Sequence, residues 1–130
     1  MTDIHSTISD IPERILTTSS TMRFSAVVNG FGNILYFKYR EDVPKPLLPE
    51  TEVEKEIILG MVRLQTEKSR VSLLGGVNYC LVTFDKIKRA IIPFGELFVL
   101  VSFDGNTSHI EEILGEKVIP LLQTYTHTAV

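Results

Sequence analysis

An α+β fold with the element order α-β-β-α-β-β-β-α is predicted for this chain by three observations. Five short runs are dense in apolar and β-branched residues, one long stretch between the second and third has helical periodicity, and Gly, Pro and Asn punctuate the junctions. Together they predict a central five-stranded antiparallel sheet with helices on its faces.

Ser9-Asp10-Ile11-Pro12-Glu13 reads as a helix start, a capping side chain followed by a proline in the first turn, where its missing N–H costs nothing. The helix is short, about 11–18. Arg23 to Asn29 then reads as a strand, and Gly30-Phe31-Gly32-Asn33 as a turn into a second strand, Ile34 to Tyr39, with both glycines offering positive φ. Pro44, Pro46 and Pro49 break regular structure over 40–49. Thr51 with Glu54 matches a capping box, and a helix follows over about 52–72, stopped by Gly75-Gly76.

Val77 to Phe84 reads as an eight-residue strand, Asp85 to Lys88 as a polar turn, and Arg89 to Phe94 as the return strand, in which Pro93 demands a bulge or an edge. Leu97 to Phe103 is apolar on both faces, as a central strand covered on both sides must be. After the turn Asp104-Gly105-Asn106, Thr107 or Ser108 caps a last helix that Gly115 and Pro120 kink or interrupt. The whole is one domain over 1–130, ordered over about 8–124, with 125–130 as a loose tail.

Composition narrows the function. The 130 residues are 44% hydrophobic and 22% charged, with net charge −3, which suits a globular chain and argues against a nucleic-acid backbone binder. No run is long and apolar enough for a membrane helix, and the first residues lack the build of a signal peptide. A single cysteine, Cys80, excludes an internal disulfide and fits a reducing cytoplasm.

The long helix carries the most informative pattern. Its core stripe is Val53, Ile57, Gly60, Met61, Leu64 and Val71, with Gly60 allowing close approach to the sheet. Ile58 and Val62 lie on the opposite side, flanked by Leu59, where a helix on one sheet face should be polar. Either another element covers them or they form a subunit interface. The strand 77–84 favours the interface, since it lacks a charge or proline to blunt an edge, and pairing with a symmetry mate would satisfy it.

Chemistry is sparse. His5, His109 and His127 are scattered without ligand spacing, and Cys80 has no histidine nearby in sequence. Gly30-Phe31-Gly32 precedes no helix, and Gly75-Gly76 has no phosphate-loop lysine. Lys86, Lys88 and Arg89 form the strongest basic cluster, either a solvated hairpin tip or a docking point for an acidic partner. Phe31 is either tucked under the sheet edge or offered to a partner. No constellation supports catalysis or a cofactor, and the chain reads as a non-enzyme.

The element order, with Arg23 to Asn29 and Gly32, the helix from Glu54 through Arg70, and Tyr79 through Phe84 with the strand ending Leu100-Val101-Ser102, resembles the roadblock/LC7 domains of the profilin-like folds. It is similar in particular to an archaeal family of roadblock-like proteins. The resemblance implies homo- or heterodimers that join their third strands into one sheet and pack their long helices, as platforms for small GTPases and other partners. Carried onto this chain, the interface is Ile58, Leu59 and Val62 with Val77, Tyr79, Cys80, Leu81 and Val82 of the strand. No arginine is placed to act on a nucleotide. The alternative is a small-molecule sensor of the PAS, GAF or longin-like kind, which needs a cavity that Phe24, Phe37, Phe84, Phe94, Phe98 and Phe103 are large enough to fill.

Overall fold

The computed structural model describes residues 7–41, 50–67 and 70–125, with the side chains of 50 and 51 outside that description. The elements run in the expected order. They are α1 (Ile11–Leu16), β1 (Met22–Val28), β2 (Ile34–Tyr39), α2 (Glu50–Glu67), a short α3 (Val71–Leu74), β3 (Cys80–Thr83), β4 (Ile87–Phe94), β5 (Leu97–Asp104) and α4 over 110–123. The five strands form one sheet in the order β2-β1-β5-β4-β3, every neighbouring pair antiparallel. β5 is central and buried along most of its length, as its two-faced apolar pattern requires.

Strand alternation divides the core in two. Val27, Ala90, Ile92, Val99, Val101 and Phe103 pack with Ile11 and Ile15 of α1 and Leu114, Val118 and Leu122 of α4. Phe24, Ala26, Val28, Ile91, Phe98 and Leu100 pack on the other face with Ile57 and Leu64 of α2. The sheet is thus a middle layer between α1 with α4 and α2. Gly60 is where α2 comes nearest: a Cβ there would lie 3.2 Å from Ile91 Cδ1.

Several local expectations change. No side chain caps α1; a 3-10 turn, Ile8–Asp10, leads into it instead. Thr17 and Thr18 end it by donating their hydroxyls to the carbonyls of Arg14 and Ile15. Neither Thr107 nor Ser108 caps α4: Thr107 Oγ1 donates back to the Asp104 carbonyl, and His109, at φ 57°, occupies the cap position. Pro120 has no N–H for the Glu116 carbonyl, and the helix answers with a π turn, Leu114–Val118. Val71, assigned to the core stripe, is exposed in α3, a separate turn of helix. Tyr125, assigned to the tail, is buried and accepts a 2.5 Å hydrogen bond from Arg14 Nη1. The Thr51 side chain of the expected capping box lies outside the described residues, as do His5, His127, Pro44, Pro46 and Pro49.

The largest difference is β3, four residues instead of eight. Cys80 pairs with Ile91, and continuing that register would set Asn78 opposite Pro93, which has no N–H to donate. The ladder stops there, and β4 beyond Ile91 is locally an edge, which is how an inner strand tolerates its proline. At the other end Phe84 N donates to the Ile87 carbonyl at 2.8 Å and closes a tight turn over Asp85 and Lys86, so Ile87 and Lys88 belong to the strand.

Candidate functional site

The surface next to β3 gathers most of the exposed apolar groups that sequence assigned to an interface. α2 turns Leu59 (62% exposed) and Val62 (57%) outward, and Val82 and Phe84 at β3 are also exposed. Leu59, Val82 and Phe84 line a shallow groove of about 210 Å³ between α2 and the strands, with Glu56, Arg63 and Cys80. Arg89 crosses it. Its guanidinium lies 3.1 Å from Glu56 Oε1 and 5.3 Å from the centroid of the Phe84 ring, tying β4 to α2 at the groove floor.

The other interface candidates divide. Ile58, 53% exposed, leans toward the β1–β2 turn, where a Cβ on Gly32 would lie 3.5 Å from its Cγ1. Val77 and Cys80 are half-buried against the α2-side core, Tyr79 and Leu81 against the other. Those four are therefore largely committed within the subunit. Burial pushes the Cys80 thiol up from its ordinary value, with Arg63 opposing the rise and Glu67 adding to it. Burial also raises the Tyr79 hydroxyl, with a further rise from Glu111.

The basic cluster does not assemble. Lys88 and Arg89 alternate across β4: Arg89 is held by Glu56, and Lys88 Nζ donates to the Thr107 carbonyl at 2.8 Å on the other side. Only Lys86 of the three is exposed at the turn. Phe31 is not tucked away; it is 89% exposed. Asn29 explains this, since its Oδ1 accepts from the backbone N–H of Phe31 (2.9 Å) and of Asn33 (3.0 Å) and fixes the turn that lifts the ring. Only Gly32 of the two flanking glycines uses positive φ, at 87°.

No group of three or more His, Cys, Asp or Glu gathers to hold a metal among the described residues. Nor is any described helix long and apolar enough to cross a membrane. Phe24, Phe94, Phe98 and Phe103 are buried and fill the space between sheet and helices, whereas Phe37 and Phe84 lie outside it.

The strand order, with one helix on one face and two on the other, can be set against solved structures. A Roadblock/LC7 domain from Streptomyces avermitilis superposes with TM-score 0.70 over 95% of this chain and 98% of its own, at 11% identity. The fold is that of the roadblock/LC7 domains. An MglB solved in a tetrameric arrangement matches with TM-score 0.68 at 17% identity, covering 93% of this chain and 88% of that one. Schizosaccharomyces pombe profilin, at TM-score 0.60 and 11% identity over 95% and 100%, places the roadblock fold in its wider profilin-like class. No protein-family model and no curated protein matches the chain. In this fold the groove lies beside the third strand and the long helix, the two elements nominated from sequence.

Proposed function

We propose that this chain is a non-enzymatic, cytoplasmic interaction module of roadblock type. Two copies pair through β3 and the β3-facing side of α2. The observation that carries the reading is the groove lined by Leu59, Val82 and Phe84, running beside a strand whose outer edge has no described partner. Exposed apolar surface next to an unpaired edge favours association, because pairing removes the apolar area from water and satisfies the edge's peptide groups together. The tetrameric arrangement of the similar MglB supports self-association.

Two-fold pairing of β3 gives a ten-stranded sheet with the two α2 helices side by side. The remaining outward surface of those helices, with Ile58 and Phe31, is the platform for a further partner. A small GTPase is the class that the roadblock resemblance implies.

Light scattering after gel filtration tests the dimer. The expected mass is twice 14.6 kDa. Val62→Asp and Val82→Lys are expected to return it to a folded monomer, since each places an unpaired charge at a desolvated contact. A wild-type monomer at high micromolar concentration would sink the reading.

A further inference from the structure

The sheet has a second open edge. β2 lies at the opposite end from β3, and no described residue pairs with its outer side. Leu35, Tyr36 and Phe37 are consecutive, apolar and exposed there, Phe37 at 59%. Strands that must stay apart are blunted with charge or proline. β2 has a register shift at Val27/Val28 beside Leu35, and a single cation, Lys38. The Phe37 ring is also held in place, its centroid 6.3 Å from that of Phe24 and 5.9 Å from that of Tyr39. A fixed, half-exposed aromatic at an open edge carries little of the ordering cost that a mobile one would incur on binding.

We propose that β2 is a second homotypic contact, in which two copies pair antiparallel about a two-fold axis at Phe37. The chain itself selects this register. An axis perpendicular to the sheet keeps like faces together, so opposed residues must share the same parity along the strand. Centring the axis on Lys38 sets two ammonium groups opposite each other, which is repulsive. Centring it on Tyr36 sets each Lys38 against Ile34, leaving a cation without a partner. Centring it on Phe37 stacks that ring on its own copy and places Tyr36 opposite Lys38 of the second copy, an aromatic pair flanked by two cation–π contacts.

The consequence is an open assembly. The two edges of a five-stranded sheet are about 20 Å apart at roughly 4.8 Å per strand. Two-fold axes that do not meet combine into a screw, not a closed ring. Dimers paired through β3 therefore extend through β2 into a linear array. The array rests on the β3 reading above; the β2 contact does not.

Sedimentation velocity of the full chain, from micromolar to millimolar concentration, separates the two contacts. Wild type is expected to grow past twice 14.6 kDa as concentration rises. Phe37→Lys and Tyr36→Lys are expected to hold it at the dimer, the second by setting like charges opposite each other without disturbing the aromatic cluster. Adding Lys38→Glu to Tyr36→Lys restores growth if the register is right, because the opposed charges then attract. Val82→Lys alone leaves a β2-paired dimer. A wild-type mass that plateaus at the dimer, unchanged by either β2 variant, overturns the β2 contact and leaves the β3 reading standing. A wild-type dimer that Phe37→Lys splits into monomers upholds β2 and overturns β3.

Discussion

Arg89 reaches from β4 across the floor of the groove to Glu56 of α2, 3.1 Å away, and covers the Phe84 ring on the way. The pair is neither a loose surface contact nor a deep one, the Arg89 side chain being mostly covered and Glu56 about one-third exposed. Removing the carboxylate strands a guanidinium that has already lost most of its water.

Glu56→Ala is therefore expected to cost about 1–2 kcal/mol, between an exposed pair and a buried one. Arg89→Met, which keeps an apolar stem over Phe84, is expected to cost less, because it leaves no buried charge unpaired. Urea unfolding of the two variants at equal protein concentration checks the order. The reverse order would mean that packing of the arginine on Phe84 matters more than its charge.

Gly105 forms the second tight junction. Its N–H donates to the Lys86 carbonyl at 3.0 Å, and a Cβ there would lie 2.7 Å from the Lys86 carbonyl carbon and closer still to the Asp85 carbonyl oxygen. These are backbone atoms and cannot swing aside. Gly105→Ala is expected to destabilise by about 1–3 kcal/mol, as overpacking does. Gly30→Ala, with nothing nearer than 3.8 Å and no positive φ, is the control and is expected to be neutral or slightly stabilising. Thermal melts of the pair measure the difference.

What was legible in the sequence follows the range of each interaction. Strand and helix identities came from periodicity, a local property, and β2 and the two-faced β5 fall where the pattern put them. Gly60 was legible because its place in the helical stripe implied a close approach, which Ile91 supplies. The length of β3 was not, because it depends on which residue of another strand stands opposite: Pro93 limits β3 through the register, not through its own strand. Likewise, Lys86, Lys88 and Arg89 look like one cluster in sequence, and only strand alternation together with Glu56 and Thr107 separates them. Asn29 carried a signal that could have been read, since asparagine two residues before the tip is a common turn-former that holds such a ring outward.

Arg40 is the longest-range of these contacts. Just after β2, its Nη2 donates to the carbonyls of Leu16 (3.1 Å) and Ser19 (2.6 Å), and its Nε donates to that of Met22. One planar side chain thus satisfies carbonyls at the end of α1 and the start of β1. Lysine keeps the charge but not the fork. Arg40→Lys is expected to cost about 2–3 kcal/mol through the lost charge-assisted bonds. Hydrogen exchange is expected to rise first in residues 17–22, and a uniform rise across the sheet would count against a local clamp.

Cys80 supplies a chemical test of the groove. Its thiol sits half-buried against α2, and burial raises its pKa. A raised pKa means less thiolate at neutral pH, and the thiolate is the form that reacts. Alkylation of the folded protein at pH 7 is therefore expected to be several-fold slower than that of the chain unfolded in urea. The gap is expected to narrow as pH climbs through the thiol range, because the folded protein's thiolate fraction then rises toward that of the unfolded chain. Pairing through β3 adds a concentration dependence, since a second copy over Leu59 and Val82 also shields the sulfur. Slower alkylation at high protein concentration in wild type, lost in Val62→Asp, would place Cys80 beneath the shared surface, whereas a rate independent of concentration in both would keep its protection within one subunit.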